Sequence, residues 1–280
     1  MKQMHVIKTA AGLRQELDKR GGAVGFVPTM GALHAGHLSL VERCRKECDT
    51  VVVSVFVNPT QFNDPDDLKK YPRTPEADLA MLEKAGTDLV FMPDVNEIYP
   101  EPDTRQFRFG SLETVMEGAH RPGHFNGVAQ VVSRLFDIVK PDKAYFGEKD
   151  FQQLAIIKYV TANLRIPVEI IGCPIFREKD GLAMSSRNML LTPERREAAP
   201  HIFRTISKAK GLMNKFTPLE VAKIIKKEID ECDLLETEYV EIINALNLHP
   251  VSEWDEAQEI QLCCAVYAGP IRLIDNIKLR

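Results

Sequence analysis

Residues 51–57 read Val-Val-Val-Ser-Val-Phe-Val, dense in β-branched side chains and without polar alternation. Such a run cannot form one wall of a half-solvated sheet. It suits a central strand buried on both faces, as in parallel sheets covered by helices. Shorter apolar runs predict strands at 24–27 (ended by Pro28), 88–92, 143–146 and 168–171. The intervening stretches 37–48, 76–85, 128–139 and 151–164 carry helical patterns. Strand and helix in repetition imply crossover connections and a parallel α/β sheet.

Beyond about residue 176 the texture changes. Helices are predicted over 193–215 and 218–232, each opened by a Thr-Pro pair, with Thr192 and Thr217 as N-caps and proline at the first helical position. Strand-like runs follow at 239–243, 260–268 and 271–275, which suits a small α+β domain with an antiparallel sheet. A chain of 280 residues accommodates two such domains, expected at 1–175 and 176–280, with 175–187 as the hinge. The composition, 44% hydrophobic and 27% charged, suffices for sizeable cores. Formal charge is 36 − 40 = −4, which argues against a nucleic-acid partner. The six cysteines show no CxxC pair and no metal-ligand rhythm, so free thiols in a reducing compartment are expected. No signal-peptide core and no membrane-length apolar run appears, and a cytoplasmic location with no membrane partner is the expectation.

The polar, glycine-bearing segments fall after strands or ahead of helices, where open α/β sheets bind ligands. Pro28-Thr-Met-Gly-Ala-Leu-His34-Ala-Gly-His37 follows the first of these strands. Its two histidines are three apart, on one face of a helix if the helix has begun, and the unpaired N–H groups of a helix start attract anions. A surface accident or a metal site is the alternative, but no HExxH or Cys/His companion supports zinc. Asn58-Pro-Thr-Gln61 follows the strongest strand and offers amides to a hydroxyl or carboxylate, or is simply a loop. The Asp- and Lys-rich stretch 63–70 is expected to be a solvated surface loop.

Three further segments carry charge. Around Arg121 and His124, an anion site and a positioned helix start are both open. In Gly147-Glu-Lys-Asp150, Lys149 suits a phosphate, while Asp150 either caps the next helix or holds ribose; Gln153 lies one turn on. Met184-Ser-Ser-Arg187 has the hydroxyls and planar guanidinium of a phosphate clamp, or is a serine-rich turn.

Taken together, PTMGALHxGH, FVNPxQF, YPRT, RPGHFxGV, FGEKDxQQL and DGLAMSSRN, in this order over residues 28–188, resemble the pantoate–β-alanine ligases (pantothenate synthetases). The resemblance implies a Rossmann-like parallel-sheet domain of the HIGH-motif nucleotidyltransferase class, a smaller C-terminal α+β domain and a homodimer. It implies condensation of pantoate with β-alanine, with ATP as a substrate, through pantoyl adenylate. By similarity Met30, Gly31, Ala32, Leu33, His34, Ala35, Gly36 and His37 hold ATP, as do Gly147, Glu148, Lys149 and Asp150. Phe176 stands beside adenine, where a smaller β-branched residue is common, and Met184, Ser185, Ser186 and Arg187 complete the nucleotide site. His34, His37, Lys149 and Arg187 are the expected catalytic groups; Gln61 and Gln153 match pantoate contacts, Gln61 also a β-alanine contact. Asn58, Arg121 and His124 are expected to support these. Where some members add a polar side chain after YPRT to hold Mg²⁺, this chain reads Glu76-Ala77-Asp78 and then Met81. Mg²⁺ is therefore expected to arrive with ATP, with no metal held mainly by protein.

A nucleotidyltransferase that keeps the nucleotidyl group on its product, a tRNA-synthetase-like protein and a non-catalytic nucleotide-binding module are rivals. The acidic balance disfavours the second, and the intact His34, His37, Lys149 and Arg187 disfavour the third.

Overall fold

A computed structural model describes residues 3–62 and 65–280. Through the first two-thirds the elements are β1 (His5–Ile7), α1 (Ala10–Asp18), β2 (Val24–Thr29), α2 (Ala35–Glu47), β3 (Thr50–Val55), α3 (Pro65–Lys70), α4 (Pro75–Lys84), β4 (Leu89–Phe91), α5 (Val95–Ile98), α6 (Met116–His120), α7 (His124–Val139), β5 (Lys143–Gly147), α8 (Phe151–Asn163) and β6 (Glu169–Cys173). The remainder comprises α9 (Pro193–Ala198), α10 (His201–Ile206), α11 (Ala209–Leu212), α12 (Pro218–Asp230), β7 (Glu236–Asn244), β8 (Ile260–Ala268) and β9 (Ile271–Lys278).

The chain forms two compact units. One holds the chain through Phe109, Arg121–Glu148 and Gln153–Pro174; the other holds Gly110–His120, Lys149–Gln152 and Ile175–Arg280. The first is built on a parallel sheet ordered β1-β4-β3-β2-β5-β6. Successive side chains of β3 point to opposite faces, and both faces are buried. Val51 and Val53 pack with Leu40 and Val41 of α2 and Leu82 of α4, whereas Val52 packs with Leu13 of α1 and Val128 and Phe136 of α7. This is why the run lacks polar alternation. Strand order reverses direction at β2, whose neighbours are β3 and β5. The turns that follow β2 and β5 therefore leave the sheet at its switch point.

Three local expectations need correction. Pro28 does not end β2: it pairs in register with Ser54, and Thr29 with Val55. Pairing of β2 with β5 is confined to Gly25 and Phe26, so from there onward β2 has a sheet edge, where proline is tolerated. The stretch 63–70 is not all loop. Asn63 and Asp64 lie outside the described residues, and α3 follows with Lys69 and Lys70 in its last turn, where cations favour the helix dipole. Residues 193–215 form three short helices in place of one; between the first two stands Pro200, which has no N–H to donate back along the helix, while Ala199 before it keeps helical backbone. The edge strand β1 and helix α1 stand where no element is read from sequence; Thr9 caps α1, its hydroxyl accepting from Gly12 N at 3.2 Å.

In the second unit β7, β8 and β9 form an antiparallel sheet in that order. Ile225 and Ile229 of α12 pack in one core with Ile206 of α10 and Leu262, Cys264 and Val266 of β8. Helix α12 starts as its sequence predicts, with proline at N1 and a reciprocal capping box between Thr217 and Glu220. All six cysteines are free thiols. No helix among the described residues is long and apolar enough to cross a membrane.

Candidate active site

The turn after β2 is held by several buried hydrogen bonds. Gly31 and Ala32 both adopt left-handed backbone, φ +83° and +48°. Glycine does so freely, but alanine at that φ is strained. The turn persists because its N–H groups meet fixed acceptors. Gly31 N donates to Thr29 Oγ1 at 3.3 Å, Ala32 N to Asp78 Oδ2 at 3.0 Å, and Leu33 N to Asp78 Oδ1 at 2.8 Å. Thr29 Oγ1 donates in turn to Ser54 O at 2.7 Å, anchoring the turn to β3. Asp78 is only 1% exposed, and Thr74 Oγ1 also donates to its Oδ1 at 3.1 Å. A buried carboxylate needs such bonds to offset its desolvation.

The stretch after YPRT, where some members add a side chain for Mg²⁺, is occupied otherwise here. Both oxygens of Asp78 already accept protein donors, Ala77 has no ligand atom in its side chain, and Met81 offers only a soft thioether. Among the described residues no cluster of three His, Cys, Asp or Glu side chains is placed to hold a metal ion.

The N–H groups of residues 31–33 are thus taken up by protein acceptors, and the chain enters α2 directly after them. His34 is its N-cap, with extended backbone (φ −144°, ψ 174°) and no side-chain cap bond, and no acidic residue lies in the first turn. The His34 and His37 rings stack, centroids 4.0 Å apart at 27°. The stacked pair stands at the helix start, where the positive end of the dipole favours negative charge.

The turn Pro59–Gln61 after β3 is fixed as tightly. Asn58, 1% exposed, donates from Nδ2 to Gln61 Oε1 at 3.1 Å and to Gly127 O at 3.2 Å. Its Oδ1 accepts from Tyr99 OH at 3.0 Å and Thr60 Oγ1 at 3.1 Å. Burial raises the Tyr99 pKa, which keeps this phenol a donor. Held by its oxygen, Gln61 donates from Nε2 to Met30 Sδ at 3.0 Å. It thus presents N–H, which suits a carboxylate or hydroxyl oxygen of a ligand.

At the third motif, His124 makes contacts of the positioning kind. Its Nδ1 lies 2.8 Å from Gln61 O and its Nε2 3.2 Å from Arg121 Nη1. A carbonyl accepts and a guanidinium donates, so the ring carries its proton on Nδ1 and accepts at Nε2. His124 therefore positions the Gln61 turn. Gly127 allows the close packing behind it: a Cβ there would stand 2.3 Å from Thr60 O. At the end of β5, Gly147 pairs with Cys173, and Glu148 N donates to Cys173 O at 2.8 Å. Gln153 is half-buried in α8.

The second unit carries the other candidates. Asn276 Nδ2 donates to Lys149 O at 2.9 Å, and Gln261 Nε2 holds Asn276 Oδ1 at 2.7 Å. Lys149 is thereby tied to β8 and β9; its Nζ lies 3.9 Å from Asp150 Oδ2. The segment 176–188 is an ordered loop. Met184 N donates to Phe176 O at 3.0 Å, Arg187 N to Ser185 Oγ at 3.3 Å, and Asn188 Nδ2 to Glu178 Oε1 at 2.8 Å. Arg177 anchors it through a bidentate pair to buried Asp275 at 2.7 and 2.9 Å, its guanidinium 3.7 Å from the centroid of Phe203. Phe176 is 41% exposed.

Tyr99, Asp275 and Asn276 carry hydrogen bonds of this kind without any local signal in the sequence. Asp78 enters the motif reading only as part of the stretch where some members hold Mg²⁺, and its bonds to the turn after β2 are not announced there.

Sheet, switch point and paired histidines define a Rossmann-like enzyme of the HIGH-motif nucleotidyltransferase class. The family described as Pantoate-beta-alanine ligase matches residues 4–278, and the chain belongs to that family of ligases. It is 52% identical over 278 residues to the pantothenate synthetase of Porphyromonas gingivalis, covering 98% of this chain and 99% of the relative. With that of Bacteroides thetaiotaomicron it shares 52% identity over 280 residues, 100% of this chain and 99% of the relative. The crystal structure of pantothenate synthetase from Thermus thermophilus superposes with a TM-score of 0.93 at 44% identity, covering 99% of each chain. Pantoate-beta-alanine ligase from Francisella tularensis, complexed with beta-gamma ATP and beta-alanine, matches with a TM-score of 0.84 at 32% identity over 99% of this chain and 98% of that one.

Proposed function

We propose that this ligase joins pantoate to β-alanine in two steps. The carboxylate oxygen of pantoate attacks the α-phosphorus of ATP, the bond to the bridging oxygen of the β-phosphate breaks, and diphosphate leaves. The amine of β-alanine then attacks the acyl carbon of pantoyl adenylate; the C–O bond to AMP breaks, the amine sheds a proton, and pantothenate forms. Adenylation is needed because a free carboxylate would have to expel oxide. Positioning and charge stabilisation carry most of the catalysis.

The observation that carries this reading is the stacked His34–His37 pair at the start of α2, on the switch point of the sheet. In this role the two imidazoles donate to phosphate oxygens as charge develops on them. Met30 to His37, Gly147 to Asp150, Phe176 and Met184 to Arg187 serve ATP, with Lys149 and Arg187 countering charge in the adenylation transition state. Gln61 and Gln153 receive pantoate, and Gln61 also meets β-alanine. Mg²⁺ comes on the nucleotide and, when bound, neutralises part of the phosphate charge. We also assign the chain to the cytoplasm, as a homodimer.

ATP–diphosphate exchange with pantoate alone tests the two-step route. Exchange without β-alanine is expected. Pantothenate formation with no exchange under any pantoate concentration would exclude a free-standing adenylate. A second expectation concerns substrate assignment. Gln153→Ala should weaken pantoate binding by about tenfold, the scale of one hydrogen bond to a charged group, and leave ATP near normal. Equal loss for both ligands in equilibrium binding would remove Gln153 from the pantoate site.

A further inference from the structure

We propose that Asp78 is a positioning residue that latches the turn after β2 in its binding shape, and that it is not a magnesium ligand. This rests on the reading of that turn as part of the nucleotide site. Four observations support it. The carboxylate spans two successive N–H groups, Ala32 and Leu33, at 3.0 and 2.8 Å. Those bonds hold a turn containing a left-handed alanine, a backbone shape that is strained when unsupported. Asp78 is 1% exposed, and its two oxygens accept from three protein donors. Gly31 leaves just enough room for it, since a Cβ there would stand 3.0 Å from Asp78 Oδ2.

The consequence reaches the chemistry through geometry. His34 follows Leu33 directly and is the N-cap of α2. Fixing the N–H of Leu33 fixes the path by which the chain enters the helix, and with it the face on which His34 stacks against His37. Thr74 at the start of α4 supports the latch from behind at 3.1 Å. The sequence separation, 45 residues between Leu33 and Asp78, explains why no motif announces the contact.

Two substitutions separate latch from metal ligand. Asp78→Asn keeps one acceptor and puts an amide against the second N–H; ATP affinity should fall about 10- to 100-fold, the scale of a lost bond to a buried charged group. Asp78→Glu keeps a carboxylate for a cation but cannot place both oxygens on the same two N–H groups, and it should fail comparably. In both variants the Mg²⁺ concentration giving half-maximal activity should stay unchanged, as should pantoate affinity. Amide hydrogen exchange at Ala32 and Leu33 should accelerate in both, whether or not nucleotide binds. Normal ATP affinity in Asp78→Glu combined with a raised Mg²⁺ requirement in Asp78→Asn would overturn the proposal, and so would unchanged exchange at both amides. If the unchanged protein binds no ATP, the nucleotide reading fails while the exchange result still judges the latch. Should both Asp78 variants fail to fold, Thr74→Val, on an exposed residue, removes only the third bond. A few-fold loss of ATP affinity and faster exchange at Leu33 are then expected; a Thr74→Val protein that matches the parent in both would sink the latch.

Discussion

Lys149→Ala is expected to slow adenylate formation at least ~100-fold, the effect of losing one strong donor to developing transition-state charge. Single-turnover diphosphate release with saturating pantoate and ATP measures it. A burst of near-normal rate would take Lys149 out of the mechanism. The loss should be chemical and not a loss of fold. Nζ lies 3.9 Å from Asp150, whose side chain is about half exposed, a pair worth ~0–1 kcal/mol, and it also favours the charged form of buried Asp275, whose main partner is Arg177. What places the lysine is backbone: Asn276 Nδ2 on Lys149 O at 2.9 Å, itself held by Gln261. An alanine keeps that bond. The thermal midpoint of Lys149→Ala should therefore stay within a few degrees of the parent.

Gly127→Ala should act in the opposite manner, through packing. In an open helix the change would gain about 1 kcal/mol from helix propensity. Here the new methyl would lie 2.3 Å from Thr60 O, a backbone atom of the turn that carries Gln61. A normal contact needs more than an ångström beyond that, and neither α7 nor the turn can rotate a side chain out of the way. Overpacking of this kind costs about 1–3 kcal/mol or more, so the net sign is destabilising. Because the turn must retreat, Gln61 moves with it, and pantoate binding should weaken further than ATP binding. Chemical unfolding and equilibrium binding check both parts. A variant as stable as the parent with unchanged pantoate affinity would show that α7 does not buttress the turn.

The two expectations differ in what made them visible. Lys149 stands out in sequence because a charge follows a glycine at a strand end. Gly127 does not: as the glycine of RPGHFNGV it marks a place where something comes close, without saying what. The same holds for His124, whose two nitrogens face Gln61 O and Arg121 Nη1. An imidazole beside an arginine is open to an anion role until its partners, 63 residues away in one case, are known.

Local patterns were enough for the alternating elements, the parallel sheet, the antiparallel C-terminal strands and the Thr-Pro helix starts at Thr192 and Thr217. Each is governed by neighbours within a turn or a strand: β-branched density, capping oxygens, the fixed φ of proline. The turns bearing His34, Gln61, Lys149 and Arg187 were legible for the same reason. Tertiary structure alone decided that Pro28 sits inside a strand, since only the short pairing with β5 frees that edge. It alone put the Lys149–Gln152 segment in the unit of the C-terminal sheet, and it alone gave Asp78 its task. Those outcomes depend on which buried donor meets which acceptor across tens of residues. The pairing is enforced by the cost of leaving either group unsatisfied, and no local pattern encodes it.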